Sequence, residues 1–241
     1  MTQWQPSGSG DLCADGIVSV GQLAPLAEAR LDGSTWAYVA GGAGDESTLR
    51  ANDAAWSHHG LLPRAMTDVS ALSTRTTLLG LDLSHPILIA PTASHLRYHP
   101  EAELATLRGA SAAESLVTLS TLGSTLARTF GDAATALGRP WWMQVYLQDD
   151  RSISRPILDA AVAGGAGALV LTVDTPALGA RDRDRRDQFG AAHGVSYPNL
   201  AHHRPGPDDT PAQRRVWNPH LARDVSPRDI TVLVERYGIP V

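Results

Sequence analysis

From about Leu79 onward the chain alternates short, almost unbroken apolar runs of strand length with Ala-rich stretches whose apolar residues recur at helical spacing. The runs are Pro86 to Ala90 (PILIA), Leu116 to Ser120 (LVTLS), Trp141 to Tyr146 (WWMQVY) and Ala168 to Asp174 (ALVLTVD). None alternates polar with apolar residues, as expected of strands covered on both faces. Between them, Glu101 to Ser115 and Ile153 to Ala163 carry the helical period, and Gly164-Gly165 supplies a helix stop. Successive strands lie roughly 25 to 30 residues apart, the spacing of parallel strands joined by helical crossovers. The pattern predicts an α/β fold with a parallel sheet at its core.

The flanks read differently. Residues 1–78 are expected to form an N-terminal helical segment, with one helix from Val20 to Ala40 and a polar, Gly-rich turn from Gly41 to Asp45. Residues 79–241 are expected to hold the parallel sheet and its helices. Within it, residues 177–219 are rich in Arg, Asp, His, Pro and Gly, which predicts a long loop of the kind that usually carries function. Order returns with a helix from Ser226 to Tyr237: Ser226 suits the N-cap, Pro227 the first helical position, Asp229 the first turn and Gly238 the close. Ile239-Pro240-Val241 reads as the opening of a fifth strand.

Composition narrows the functional classes. The chain has 241 residues, 43% hydrophobic and 19% charged, which excludes disordered and collagen-like classes. No apolar run approaches the ~18 residues of a membrane span. With no basic and apolar leader pattern at the start, a cytoplasmic location is expected. Cys13 is the one cysteine, so a disulfide framework or a Cys-based zinc site within one chain is excluded. The net charge is −5, and all 20 basic residues are arginine, which removes lysine chemistry altogether. Nucleic acid is not an expected partner, because the basic run Arg181 to Arg186 is interleaved with aspartates. Only Arg181 in that run has a functional case. Its neighbours are expected to be solvated or paired with Asp182, Asp184 and Asp187. His95 and His99 stand four apart, a spacing that can serve a metal on a helix, but Pro100 disfavours helix there and no metal site is assigned. His58-His59 and His202-His203 are expected as solvated loop residues, and Trp36, Trp141 and Trp142 as core.

In parallel α/β folds, ligands gather at the carboxyl ends of the strands. Here those ends carry Pro91-Thr92-Ala93, Ser120, Gln144 with Tyr146, and Thr172 with Asp174, and Arg181 follows soon after. Singly, each hydroxyl or carboxylate could be an ordinary cap. Together, hydroxyl, amide, phenol, carboxylate and guanidinium groups describe a site for a polar ligand bearing an acidic group.

The segments YVAGGAGDESTLRAND from Tyr38, ILIAPTA from Ile87, HPEAELATLRGAS from His99, VTLSTL from Val117, WWMQVYLQDDR from Trp141 and LTVDTPALGARDRDRRDQF from Leu171 together resemble the FMN-dependent α-hydroxy acid oxidases and dehydrogenases. The resemblance implies a TIM (β/α)8 barrel, here ending after about four and a half βα units, with FMN over its carboxyl-end face. It implies oxidation of a small 2-hydroxy acid to a 2-oxo acid. By position, the backbone of Pro91, Thr92 and Ala93 would run beside the flavin, and Ser120, Gln144 and Thr172 would hydrogen-bond its polar edge. Tyr38 and Arg181 would hold the substrate carboxylate, Tyr146 would hydrogen-bond the substrate hydroxyl, and Asp174 would steady a catalytic histidine. The family's base, a histidine in an SNHGG-type motif with its accompanying arginine, and its lysine near the flavin do not occur in these 241 residues. Leu122 stands where several members carry a bulky aromatic. A truncated barrel is therefore expected, completed by a C-terminal half or a homo-oligomeric partner. The alternative is a noncatalytic half-barrel that binds flavin or a partner chain.

Overall fold

The computed structural model describes residues 16–175, 177–187, 197–200 and 221–241. They fall into two units, Met1–Asn52 with Arg181–His193, and Asp53–Ala180 with Gly194–Val241. In the first, a 3-10 turn at Val20–Gln22 runs into α1 (Leu23–Glu28), followed by α2 (Gly33–Ala40) and the start of α3 (Ser47–Trp56). The single helix expected from Val20 to Ala40 is thus broken. Asp32 breaks it, because its extended backbone (ψ 155°) lets Oδ1 accept from the Thr35 N–H at 2.9 Å and cap α2. No residue inside a helix can adopt that conformation.

The second unit opens with a feature the apolar pattern did not announce, an antiparallel hairpin of β1 (Thr76–Leu78) and β2 (Leu81–Leu83). Its two turn residues, Leu79 and Gly80, have φ of 48° and 78°, the left-handed pair that matches strand twist. Then follow α4 (Ala102–Ala112), β3 (Val117–Leu119), α5 (Ala127–Ala136), β4 (Trp141–Val145), α6 (Arg151–Ala163) and β5 (Leu169–Leu171). The strands form a parallel sheet in the order β3-β4-β5, with Thr118 opposite Trp142 and Gln144 opposite Val170.

All of these strands are shorter than their apolar runs. Pro86 to Ala90 joins only through Ile89, whose N–H donates to Leu116 O at 2.8 Å and whose carbonyl accepts from Thr118 N at 3.0 Å. At the opposite edge Pro240 O accepts from Leu169 N at 2.9 Å, the place expected for a fifth strand. Each of these two segments contains a proline, which has no N–H for a ladder.

Period-two alternation gives the sheet two different faces. Val117, Leu119, Trp141, Met143, Val145 and Leu169 pack against Leu107, Phe130, Ile157 and Leu158 of the helices. Phe130 meets Trp141 edge-on at 5.2 Å. The intervening residues Leu116, Trp142 and Ala168 cluster instead with Leu83 of the hairpin.

Beyond β5, the expected long loop contains α7 (Asp182–Asp187), in the first unit, and a short turn at Pro198–Leu200, in the second. Residues 188–196 and 201–220, with His202 and His203, lie outside the described residues, as does Cys13. α8 (Pro227–Tyr237) begins and ends as expected: the Asp229 carboxylate accepts from Ser226 N at 2.8 Å, and Gly238 closes in the left-handed region. Among the described residues no helix is long and apolar enough to cross a membrane.

Candidate active site

The face of the sheet opposite the helices turns polar at its carboxyl end. Extending the β3-β4 register by one residue sets Ser120 beside Gln144, and Thr172 stands two positions past Val170 on the same face. The three meet. Gln144, 2% exposed, accepts at Oε1 from Thr121 N at 3.0 Å and from the Ser120 hydroxyl at 3.3 Å, and donates from Nε2 to Thr172 Oγ1 at 2.9 Å. A backbone N–H and a hydroxyl on one atom identify that atom as the amide oxygen, so the NH2 group faces Thr172. Thr121 also donates its hydroxyl to Gln144 O at 2.8 Å. The spacing of polar residues did not single out Thr121, although it directly follows Ser120.

Around this network, Pro91 and Thr92 are exposed and Ala93 half-buried. The Thr92 hydroxyl donates to Ala90 O at 3.3 Å, a local turn that leaves the exposed backbone of the PTA segment beside the sheet edge. Tyr146 is half-buried, with its N–H on Thr121 Oγ1 at 3.3 Å. Asp174 is exposed and accepts from the Thr175 hydroxyl at 2.8 Å.

The other assigned pair belongs to the first unit. The Arg181 guanidinium stacks over the Tyr38 ring at 4.7 Å from its centroid. Its Nη2 donates to Tyr38 O and, at 3.0 Å, to Gly41 O. These are orphan carbonyls at the C-terminus of α2, where a cation is favoured. Arg183 departs from the expected pairing with nearby aspartates: its Nη2 lies 2.8 Å from Glu46 Oε2, and Glu46 Oε1 accepts from Gly42 N at 3.2 Å. An open cavity of about 580 Å³ beside this ion pair is lined by Gly42, Gly44, Asp45, Asp182 and Arg186.

The described histidines are committed elsewhere. His85 Nε2 lies 2.8 Å from Ala113 O, and His99 Nδ1 accepts from Glu101 N at 3.2 Å. His95 Nδ1 lies 3.1 Å from Thr106 Oγ1, and burial pushes its pKa below the usual histidine range against the opposing pull of Glu103. His58 and His59 are exposed after α3. Two further residues near the network escaped the sequence pattern, Glu103 and Asn199. Asn199 Oδ1 accepts from Ala127 N at 2.9 Å and its Nδ2 donates to Thr125 O at 3.0 Å, completing the first turn of α5 from the distant Pro198–Leu200 turn. Only a tertiary view reveals such a cap.

Comparison with known proteins gives this arrangement relatives. The model of the FMN-dependent dehydrogenase family matches residues 27–241. The 2-hydroxyacid oxidase of Dictyostelium discoideum is 38% identical over 182 residues, which is 76% of this chain and 46% of the relative. The L-lactate oxidase of Alicycliphilus denitrificans is 46% identical over 153 residues, or 64% of this chain and 40% of the relative. A mandelate oxidase structure with (S)-4-hydroxymandelic acid matches 93% of this chain and 63% of its own, with a TM-score of 0.79 at 28% identity. The structural neighbours are TIM-barrel flavin oxidases, and the parallel sheet seen here is part of that fold. The chain spans about half the length of the curated relatives it matches.

Proposed function

Since this chain belongs to the FMN-dependent dehydrogenase family, we propose that the carboxyl edge of its sheet seats FMN and that the site serves oxidation of a small 2-hydroxy acid to the 2-oxo acid. The observation that carries the reading is the Ser120-Gln144-Thr172 network, buried at its centre and with its amide polarity fixed by Thr121. The donor set fits the group. An amide NH2 and two hydroxyls match the carbonyl and ring-nitrogen acceptors along the polar edge of a flavin, and the exposed backbone of Pro91 to Ala93 offers a polar border to the ring. When bound, FMN supplies the two-electron acceptor.

The remaining chemistry falls to side chains. Arg181, its plane set by α2 carbonyls and the Tyr38 ring, binds the substrate carboxylate together with the Tyr38 phenol. The Tyr146 phenol hydrogen-bonds the substrate hydroxyl oxygen and holds it as it becomes a carbonyl. Asp174 steadies the positive charge of a histidine base. Three of the described histidines, His85, His95 and His99, hydrogen-bond to Ala113, Thr106 and Glu101, and His58 and His59 are exposed after α3. A second reading rests on the sequence, which holds no lysine and no SNHGG-type histidine motif in these 241 residues: by themselves they bind flavin without turning over substrate.

Titration of the purified chain with FMN, followed by flavin fluorescence and visible absorption, tests both readings. Saturable uptake is expected, with no anaerobic bleaching by lactate or mandelate. A folded chain that takes up no FMN refutes the assignment, and rapid bleaching refutes the noncatalytic reading. In a protein that does turn over, Arg181→Lys keeps the charge but loses the planar fork, so KM for the hydroxy acid rises while FMN affinity holds.

A further inference from the structure

We propose that Glu103 is a positioning residue: from the first turn of α4 it fixes the loop between β3 and α5, and through that loop sets which way the Gln144 amide points. Its consequence for ligand binding rests on the FMN reading above. The Glu103 side chain is 2% exposed. Its Oε1 accepts from Ser124 N at 2.7 Å and its Oε2 from the Thr125 hydroxyl at 2.6 Å, so the two carboxylate oxygens grip consecutive residues of one loop. These are short, charge-assisted bonds, which are roughly twice as strong as neutral ones.

The loop is shaped to receive the carboxylate. Gly123 lies against it so closely that a Cβ there would sit 3.2 Å from Oε1 and 2.9 Å from Ser120 O. The same loop is tied to the segment that follows Pro91-Thr92-Ala93. Ser94 N donates to Leu122 O at 3.0 Å, and Leu96 N donates to Ser124 Oγ at 3.1 Å. One buried carboxylate therefore anchors a loop that borders both the PTA segment and the strand-end network.

Polarity passes along the chain from there. Ser120 and Thr121 open this loop, and their O–H and N–H groups both point at Gln144 Oε1. An amide turned by half a rotation would set its NH2 against those two donors, and would present its oxygen to Thr172 and the strand ends. The loop thus selects the donor orientation of Gln144, and Glu103 holds the loop. The hydrogen bonds of Glu103 run to Ser124 and Thr125, neither of which is assigned to cofactor or substrate, so its action is indirect.

The test compares Glu103→Gln with the wild-type chain. Glutamine keeps the size of the side chain, but its neutral amide removes the charge assistance from both bonds: its oxygen can still accept from Ser124 N, while its NH2 can only donate to the Thr125 hydroxyl, reversing that bond. Ser124 amide exchange is expected to accelerate at least about tenfold. The side-chain NH2 resonances of Gln144 should shift, and FMN affinity should weaken by about tenfold. A core variant that removes none of these hydrogen bonds, Leu233→Ala in α8, is expected to lower the melting temperature and to leave all three readouts at wild-type values. Thr125→Val, which removes one of the two grips, should move the same readouts less far and serves if Glu103→Gln does not fold.

Unchanged Gln144 resonances and Ser124 exchange in the Glu103 or Thr125 variant overturn the proposal, as do equal changes in Leu233→Ala. If the wild-type chain binds no FMN, the FMN reading falls, while the exchange and resonance data still decide the role of Glu103.

Discussion

Replacing Gln144 by leucine separates what the network does for the fold from what it does for a ligand. Gln144→Leu removes one acceptor and one donor, but the three partners lose unequally. Ser120 loses the acceptor of its rotatable O–H, which was long at 3.3 Å, while its oxygen still accepts from Leu122 N at 3.1 Å, and half-buried Thr172 can turn to water. The Thr121 N–H cannot, because Thr121 is fully buried (0% exposed) and the amide oxygen at 3.0 Å is its acceptor. One buried N–H left without a partner costs about 1–3 kcal/mol. For a chain of this size each kcal/mol moves the melting temperature by about 2–4 °C, so a drop of roughly 2–12 °C is expected.

Gln144→Glu provides the contrast. It keeps an oxygen for Thr121 and Ser120, so the melting temperature should fall less than in the leucine variant. It also replaces the donor facing Thr172 with an acceptor, so FMN affinity should fall about tenfold or more in both variants. Thermal melts and FMN fluorescence titrations read the two effects. If Gln144→Leu melts and binds FMN like the wild type, the network neither supports the strand ends nor recognises flavin.

Gly131→Ala should be strongly destabilising, since a Cβ there would sit 2.2 Å from Gly164 O and wedge α5 away from the end of α6. A loss of at least about 1–3 kcal/mol in chemical denaturation is expected. Gly109→Ala, in α4 with open space around the position, should instead stabilise by about 0.5–1 kcal/mol in the same assay. His95 should make stability depend on pH. Burial holds its pKa below the ordinary 6.5, so the unfolded chain binds the proton more readily than the fold does. The stabilising contribution is complete above that ordinary value and is lost as pH falls through it. His95→Gln should flatten the decline in denaturation midpoint between about pH 8 and pH 5, and an unaltered slope would exclude His95 as its source.

The elements legible in the sequence are those whose instructions are local. Ser226, Pro227, Asp229 and Gly238 specify both ends of α8 from within a dozen residues, and the apolar runs at Val117, Trp141 and Leu169 place the strands. The strand-end chemistry was legible because Ser120, Gln144 and Thr172 close the apolar runs and match a family pattern, and the register then puts them on one face. What escaped depends on distant partners or on turn geometry. α5 carries Gly131 in its middle, which reads as a weak point until the close approach of Gly164 explains it. The β1-β2 hairpin rests on two left-handed residues at Leu79 and Gly80, and only the glycine advertises that conformation. Glu103 looked like one more charged residue of an amphipathic helix, since its partners Ser124 and Thr125 lie 21 and 22 residues away.

The cap that Asn199 places on α5 bears on how this protein can be recombined. A grafting experiment would treat the stretch after β5 as an exchangeable cassette, swapped between relatives to alter ligand preference. Asn199 makes the cassette part of the scaffold: its carboxamide closes the first turn of a helix begun 72 residues earlier and steadies Thr125 beside it. A donor segment without a matching carboxamide at that position would unfasten the helix start, and the loss would be mistaken for a change in specificity. Breakpoints for chimeras should therefore leave Pro198–Leu200 with the recipient.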